Sequence, residues 1–237
     1  MSEPFLNVQD IHTYYDRSHI LQGISLNIAK GEIVCLLGRN GVGKTTTLKS
    51  IMGLTPPKSG SVKFQGREIA GKTPHEIAQL GLGYIPEERR IFPRLTVKEN
   101  LIIAKKNETK SPNSWTLNKV YEFFPALERL TSHRGMYLSG GEQQMLALAR
   151  TLMGNPDLIL VDEPTEGLAP LIVQAVKEVI LKVKEDGVTV LLVEQNMKVA
   201  LSLASRAYVM SKGLIFFHGS SDELWANQEI RRRYLEV

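Results

Sequence analysis

A glycine-rich segment between an apolar strand and a helix constrains the fold of this chain more than any other feature. The segment Gly38-Arg-Asn-Gly-Val-Gly-Lys-Thr45 follows the apolar run Ile33–Leu37 and precedes a helical pattern from about Thr45 to Met52. Its glycines allow backbone N–H groups to wrap around phosphate, and the positive end of the helix dipole strengthens the attraction. The spacing GxxxxGKT in this setting predicts a phosphate-binding loop at a strand–helix junction.

The side chains of this loop suit a nucleotide and its metal ion. We expect Lys44 to reach the β- and γ-phosphate oxygens and Thr45 to offer its hydroxyl to Mg²⁺. The residues predicted to bind the nucleotide are Gly38, Arg39, Asn40, Gly41, Val42, Gly43, Lys44, Thr45 and Thr46. Taken alone, the loop indicates an ATPase or a GTPase.

A second apolar strand, Leu158 to Val161, ends in two acidic residues. Charges at the end of a buried strand need a partner, and metal-bound phosphate supplies one. We expect Asp162 to hold Mg²⁺ through water and Glu163 to orient or polarise the attacking water. The alternative is a strand that happens to end in an acidic turn, and the matching phosphate loop upstream favours the metal site over it.

The segment Leu138-Ser-Gly-Gly-Glu-Gln143 opens a helix and offers a second anion-binding terminus, formed by Ser139 and the N–H groups of Gly140 and Gly141. An ordinary helix N-cap explains the same residues. However, a chain that binds one nucleotide does not need two phosphate-binding helix ends.

The length and the alternation of apolar segments predict an α/β fold. The 237 residues, 43% of them hydrophobic, are enough for one substantial core. Strands of the buried type are predicted at Leu158–Val161, Thr189–Val193 and Ala207–Met210, with helices between them, the clearest at Pro170–Glu185. Half-exposed strands are predicted at Phe5–Val8 and Ile24–Ile28. We therefore expect a mainly parallel sheet covered on both faces.

The middle of the chain reads as a helical subdomain, from about residue 88 to residue 155, within a single domain spanning 1–237. Thr96 begins a helical pattern with Glu99 three residues on, which is the spacing of a capping box. Further helices are predicted at Leu117–Phe124 and Gly141–Met153, with a polar loop at 107–114.

Charge and hydropathy limit the partners. The net charge is +4 with basic residues scattered, which does not favour nucleic acid. No run approaches the roughly 18 apolar residues that span a bilayer, and Ser-Glu-Pro after Met1 predicts no signal peptide. Cys35, the single cysteine, cannot form an internal disulfide, so we expect a reducing compartment and a buried thiol.

The three motifs, in this order, resemble those of the ATP-binding-cassette (ABC) family over essentially the whole chain. Within the family the chain looks most like the smaller ATPase of branched-chain amino acid uptake systems. That finer match rests on Pro86-Glu-Glu-Arg-Arg-Ile-Phe-Pro93, Leu138-Ser-Gly-Gly-Glu-Gln-Gln-Met-Leu-Ala147, Gly167-Leu-Ala-Pro170 and Leu192-Val-Glu-Gln-Asn196. The related urea-uptake ATPases are the alternative, because they are similar at Leu37–Thr46 and Pro164–Gly167.

The resemblance implies a P-loop NTPase (RecA-like) fold with an N-terminal antiparallel β subdomain and an inserted helical subdomain. It implies an ATPase that uses ATP and Mg²⁺ to power an importer of branched-chain or hydrophobic amino acids, or alternatively of urea or short amides. The signature loop of such a subunit, here Ser139, Gly140, Gly141, Glu142 and Gln143, closes the ATP site of a partner. Tyr15 is expected to stack on adenine, although Tyr14 could exchange with it.

The implied partners are a homologous ATPase subunit, in a homodimer or heterodimer that closes on ATP, and two transmembrane permease subunits. A solute-binding protein acts indirectly, nucleic acid is not expected, and the location is peripheral, at the cytoplasmic face of the cell membrane.

Three positions depart from the common family pattern. Glu87 stands where most cassettes have a glutamine that touches Mg²⁺, Ala169 stands where an aspartate is usual, and Gln195 stands where a histidine contacts the γ-phosphate. Glutamine can donate a hydrogen bond but cannot become positively charged. With Lys44, Glu163 and Gln195 as its catalytic residues, we expect this chain's own site to hydrolyse slowly and its intact signature loop to serve a partner.

Two other classes remain as alternatives. A soluble ABC-type ATPase acting on nucleic acid or ribosomes shares the three motifs, but usually carries coiled-coil arms, zinc-binding cysteine pairs or two cassettes. A plain P-loop kinase or GTPase leaves Leu138–Gln143 unexplained, and the chain has no Asn-Lys-x-Asp element for reading guanine.

Overall fold

The computed structural model describes residues 3–105 and 114–235, and the strands of these residues form two sheets. The strands are β1 Leu6–Tyr15, β2 Ser18–Ile28, β3 Ile33–Leu37, β4 Ser59–Phe64, β5 Arg67–Glu68, β6 Leu82–Ile85, β7 Leu158–Asp162, β8 Thr189–Glu194, β9 Arg206–Ser211 and β10 Leu214–Ser220. One sheet is antiparallel with the order β2-β1-β4-β5, and the other has the order β10-β9-β3-β8-β7-β6. In the larger sheet every pairing is parallel except that of β9 with β10.

Helices connect these strands. They are α1 Lys44–Ile51, α2 Pro74–Gln79, α3 Val97–Ile102, α4 Leu117–Phe123, α5 Pro125–Arg129, α6 Gly140–Leu152, α7 Pro170–Glu185, α8 Met197–Leu201, α9 Ser221–Ala226 and α10 Gln228–Ile230. Within the described parts of the chain, no helix is both long enough and apolar enough to span a membrane. The predicted loop at 107–114 lies outside the described residues except for its last position.

Strand β3 is buried along its whole length because it lies in the middle of the larger sheet, between β9 and β8. Cys35 and its odd-numbered neighbours belong to the core cluster that includes residues of α6 and α7. Val34 and Leu36 belong to the cluster that includes residues of β1, β2, β4 and α1. A strand covered on both faces has no polar side, which explains the continuous apolar run in the sequence.

The predicted fold class is confirmed: a mainly parallel α/β sheet stands beside an N-terminal antiparallel sheet. Strands β1 and β2 are longer than the sequence predicted. Register shifts near Val8, Ile11 and Thr13 interrupt the pairing of the two strands. Such irregularities break the alternation of apolar and polar residues by which a strand is recognised.

Helices α3 to α6 lie between β6 and β7 in the chain, within the range predicted as a helical subdomain. That subdomain boundary, at about 88 and 155, stays a prediction. The capping box of α3 is confirmed: Thr96 Oγ1 accepts from Glu99 N at 3.2 Å, and the Glu99 carboxylate accepts from Thr96 N at 2.7 Å. Trp115, in the same range, is buried, and so are Val120 and Leu127.

Candidate functional site

The carboxyl ends of four adjacent parallel strands meet at one edge of the larger sheet. These strands are β3, β8, β7 and β6, and the loops that follow them therefore share this edge. A cavity of about 350 Å³ opens beside the loop that follows β3. It is lined by Tyr15, Ile20, Asn40, Gly41, Gly43, Lys44, Thr45, Thr46, Glu87, Glu163 and Glu166.

The loop after β3 owes its shape to glycine. Gly41 has a φ of 78° and Gly43 a φ of 111°, conformations that side chains disfavour. At Gly38 an added Cβ would lie 2.5 Å from the Met210 carbonyl oxygen, so there is no room for a larger residue. Gly43 precedes α1 and offers no side chain to cap it. The first N–H groups of α1 are therefore available to an anion.

Lys44 and Glu163 form a buried ion pair at the cavity. Lys44 Nζ lies 3.0 Å from Glu163 Oε1 and also donates to the Arg39 carbonyl oxygen at 3.1 Å. Both side chains are less than a tenth exposed. Glu163 has a φ of 42°, and its N–H donates to the Val193 carbonyl oxygen at 3.0 Å. The strained backbone of Glu163 is thus held by β8, which directs its carboxylate toward Lys44.

Asp162 lies behind Thr45, almost fully buried. Its carboxylate accepts from Thr45 Oγ1 at 3.1 Å and from the Tyr84 hydroxyl at 3.2 Å. Burial raises the pKa of Asp162 to about 6; the two hydrogen bonds act in the opposite direction, and the charges of Glu163 and Glu87 add to the rise. A carboxylate beside a hydroxyl at a phosphate cavity fits Mg²⁺, which prefers such oxygen ligands.

The protein contributes few ligands to such an ion. Within residues 3–105 and 114–235, no group of three or more histidine, cysteine or acidic side chains has the geometry of a metal site. Phosphate oxygens and water would therefore have to complete the coordination, as is usual for Mg²⁺ in nucleotide sites.

Two further acids join Glu163 at the cavity. Glu87, predicted as a metal contact, lines the cavity, and so does Glu166, which the sequence did not single out as a site residue. A hydrogen bond to Glu163 raises the pKa of Glu166 to about 7; loss of hydration and the charges of Glu163 and Glu87 contribute further. The sequence feature that could have identified Glu166 is its position three residues after Glu163.

The structure separates the two adjacent tyrosines. Tyr15 is 43% exposed and lines the cavity together with Ile20. Tyr14 stacks on His19 with ring centroids 4.2 Å apart, and Lys58 Nζ lies over its ring at 5.2 Å. This arrangement favours Tyr15 for a base contact, which itself stays a prediction. Ile20 was missed because the predicted strand began only at Ile24.

Some predicted residues lie away from the cavity wall. Gly38, Arg39 and Val42 belong to the loop without being among the lining residues, and Gln195 is exposed just beyond β8. Glu194, which precedes Gln195, is buried and accepts from Thr165 Oγ1 at 2.7 Å.

The predicted signature loop begins α6 and is not part of the cavity. Ser139 caps the helix: its Oγ accepts from Glu142 N at 3.4 Å, and the Glu142 carboxylate accepts from Ser139 N at 2.7 Å. Gln143 Nε2 donates to the Leu138 carbonyl oxygen at 3.1 Å. Ser139 is thus exposed at the start of α6, apart from the loop that follows β3.

Comparison with known proteins places these features in context. Residues 21–166 match the family model described as ABC transporter. The chain is 43% identical to the high-affinity branched-chain amino acid transport ATP-binding protein BraG of Pseudomonas aeruginosa, over 97% of this chain and 99% of that protein. It is 34% identical to the lipopolysaccharide export system ATP-binding protein LptB of Escherichia coli, over 97% of this chain and 96% of that protein.

Solved structures with the same fold include a nucleotide-free ATP-binding cassette from an ABC transporter. It has a TM-score of 0.82 and 29% identity, and the match covers 95% of this chain and 94% of that one. Another is a dimeric cassette in a post-hydrolysis state bound to ADP and phosphate. Its TM-score is 0.80 with 26% identity, covering 91% of this chain and 98% of that one.

Proposed function

The chain belongs to the ABC transporter family as an ATP-binding and ATP-hydrolysing subunit, and we propose that it powers the uptake of branched-chain or other hydrophobic amino acids. One observation carries the proposal. The loop that follows β3 lines the cavity, whereas the start of α6 at Ser139, which we propose as a second anion-binding terminus, lies outside it. The similarity to BraG over nearly the whole chain supports the amino acid substrate.

Six of the residues that line the cavity have a role in this proposal. The N–H groups of Gly41 and Gly43 and the side chain of Lys44 hold the phosphates. Mg²⁺, bound by Thr45 and through water by Asp162, would neutralise charge on the β- and γ-phosphates. Glu163 exchanges its contact with Lys44 for one with the attacking water. Glu87 lines the same cavity and is proposed to approach the ion.

The second terminus implies a partner. We propose that two cassettes close head to tail around ATP, so that Ser139 of one approaches the γ-phosphate bound by the other. Exposed apolar side chains lie near this terminus. Tyr137, two residues before Ser139, is 72% exposed, and Leu171, next to the Ile172 that packs against Gly141, is 81% exposed. Both suit burial against another subunit. The dimeric state of a structurally similar cassette supports this arrangement.

The remaining partners follow from the same role. Two transmembrane permease subunits would convert cassette closure into movement, and a solute-binding protein would deliver the amino acid to them. The chain would then work as a peripheral subunit at the cytoplasmic face of the membrane. The region near Glu87 to Phe92, between β6 and α3, is proposed as the contact with the permeases.

We further propose that the two ATP sites of the assembly are unequal. Gln195 is exposed and cannot carry the charge of a histidine, and Ala169 replaces an aspartate. If the partner has the usual residues, its site performs most of the hydrolysis. Changing the glutamate of the partner that corresponds to Glu163 should then lower turnover by about 100-fold, and Glu163→Gln by less than about threefold. Equal losses would contradict the asymmetry.

Transport itself tests the substrate. Vesicles that contain this chain, its co-purifying membrane subunits and their solute-binding protein should accumulate labelled leucine only with ATP. Lys44→Ala serves as the negative control because it removes the phosphate contact. Accumulation of urea instead would identify the rival importer. Export of lipid, by analogy with LptB, would contradict uptake altogether, and the absence of any membrane subunit would favour the soluble class.

A further inference from the structure

We propose that Arg89 is a positioning residue that ties the start of α6 to the acidic side of the chain's own nucleotide cavity. Through this contact, nucleotide binding at the cavity would set the position of Ser139, Gly140 and Gly141. The inference rests on the proposed function, in which those residues complete the ATP site of a partner.

The guanidinium of Arg89 touches both regions. Its Nη2 donates to the Glu166 carbonyl oxygen at 3.2 Å. Its Nη1 lies so close to Gly140 that a Cβ added there would be 2.7 Å away. Glu166 lines the cavity, and Gly140 is the first residue of α6. One side chain therefore spans the distance between the cavity and the second terminus.

The backbone around Arg89 is held in a costly conformation. Arg89 has a φ of 61° and Arg90 a φ of 33°, so two consecutive non-glycine residues are left-handed. Such conformations persist only where the surroundings enforce them. The Arg90 carbonyl oxygen accepts from Arg150 Nη2 at 2.6 Å, and Arg150 also lies over the Phe92 ring at 4.9 Å. Arg150 belongs to α6, so this helix contacts the segment that follows Arg89 at both Arg90 and Phe92.

Stabilisation of α6 does not account for the placement of Arg89. The start of a helix carries partial positive charge, so a guanidinium there is disfavoured by the helix dipole. The Glu166 carbonyl oxygen offsets that disadvantage with a charge-assisted hydrogen bond. The contact is thus best explained by the link that it makes between Glu166 at the cavity and Gly140 at the start of α6.

A continuous chain of contacts leads from the phosphate loop to α6. Lys44 pairs with Glu163, the Glu166 N–H donates to the Glu163 carbonyl oxygen at 3.2 Å, and Arg89 links Glu166 to Gly140. When a γ-phosphate draws Lys44 toward itself, Glu163 loses its buried counter-ion and must move. The loop that contains Glu166 moves with it, and Arg89 passes the displacement to the start of α6.

Hydrogen exchange in the full-length chain tests this coupling. The probe is a non-hydrolysable ATP analogue with Mg²⁺, and the readout is the exchange rate of amides in residues 138–146. In the unchanged protein the analogue should slow exchange by about threefold or more. Arg89→Ala should reduce this effect to less than about 1.5-fold while the affinity for the analogue changes by less than about twofold. Arg94→Ala, which removes the same charge from an exposed position of the neighbouring segment, is the matched control.

A second variant approaches the contact from the other side. Gly140→Ala should push the guanidinium away and abolish the response as Arg89→Ala does, while Arg89→Lys should restore it only partly. Persistence of the full response in Arg89→Ala overturns the inference, and so does the absence of a response in an unchanged chain that binds the analogue. Failure of the unchanged chain to bind the analogue at all would instead remove the proposed function, and this inference with it.

Discussion

At the level of single residues, the buried acidic side chains at the cavity lower the stability of the nucleotide-free chain. Asp162 and Glu163 are both buried, and Glu194 lies buried at the end of the adjacent strand. A buried ion pair such as that of Lys44 with Glu163 adds little to stability, because desolvation offsets the attraction. Burying these charged carboxylates lowers the stability of the nucleotide-free chain. A ligand that neutralises their charge removes this destabilisation.

Asp162→Asn should stabilise the nucleotide-free chain near neutral pH. Folding raises the pKa of Asp162 from 3.8 to about 6, so the folded state binds the proton more tightly than the unfolded chain. The stability that results is complete below about pH 4 and is lost as the pH rises through about 6. A shift of two units corresponds to about 3 kcal/mol, so we expect a gain of about 1–3 kcal/mol at pH 8.

Urea unfolding at pH 4 and pH 8 measures this gain. Asparagine can still accept from Thr45 and donate to the Tyr84 hydroxyl, so the shape of the site should be kept. The advantage of the variant over the unchanged chain should be present at pH 8 and shrink toward pH 4. An advantage that does not vary with pH would show that the burial of Asp162 is not its cause.

Tyr15→Ala should weaken ATP binding by about tenfold, equivalent to about 1.4 kcal/mol, because an aromatic contact with the base is lost. Tyr14→Ala is the matched control, since Tyr14 is engaged by His19 and Lys58, and its change should be less than about twofold. Titration with a fluorescent ATP analogue measures both. A larger loss at Tyr14 would assign the base contact to the other tyrosine.

Spacing along the chain led to the candidate residues at or just after the ends of buried strands, such as Asp162 and Lys44. It did not predict Ile20, Glu166 or Arg89. These residues reach the site from a strand with irregular pairing and from two loops. Tertiary packing of those elements brings these residues to the site, and no local periodicity in the sequence reports such packing.

At the level of elements, the start of α6 shares its capping box with three other helices and differs from them in the two glycines that follow the cap. The helices α2, α3 and α9 have the same reciprocal capping box as α6. What distinguishes α6 is the glycine pair that follows Ser139. Gly141 lies against Ile172, where an added Cβ would be 2.7 Å from the Ile172 side chain.

Ser139→Ala and Ser220→Ala therefore form a matched pair. Each removes a serine cap from a capping box, and each should cost about 1 kcal/mol of stability. Only Ser139→Ala should also lower ATP turnover of the assembled transporter, because only that hydroxyl is proposed to approach a partner's phosphate. Thermal unfolding and phosphate release measure the two effects. Equal turnover in both variants would show that Ser139 acts only as a helix cap.

The elements that the sequence did not predict are short or exposed. Strand β6 has four residues and includes Gly83, which packs against Thr151. Strand β10 forms the antiparallel edge of the larger sheet, and none of its residues is fully buried. A strand is recognised by a sustained pattern of burial, and neither strand has enough buried positions to form one.

At the level of the whole molecule, the two regions that we propose to form a catalytic site between two subunits lie apart within one chain. Its cavity offers Lys44 and the acids, whereas its signature loop lies on a separate surface beside Tyr137 and Leu171. Two such chains, or this chain and a homologue, can satisfy both halves at once. Ligand-dependent association is the expected result, because ATP binds the closed pair better than the open one.

Leu171→Glu should interfere with that association. A carboxylate buried in the closed interface without a partner loses hydration, so ATP turnover of the assembled transporter should fall by about tenfold or more. The ATP affinity of the isolated chain should stay within about twofold. Leu214→Glu, at an exposed leucine on β10, is the control. Equal effects of the two changes would place Leu171 outside the interface.

The central position of β3 has a practical consequence for spectroscopy. Cys35 is fully buried there, and burial raises the pKa of its thiol to about 12, so almost no reactive thiolate exists at neutral pH. No other cysteine occurs in the 237 residues. A single cysteine introduced on the surface could therefore take a maleimide dye or a spin label selectively. Distances within the working assembly would become measurable without first replacing the native thiol.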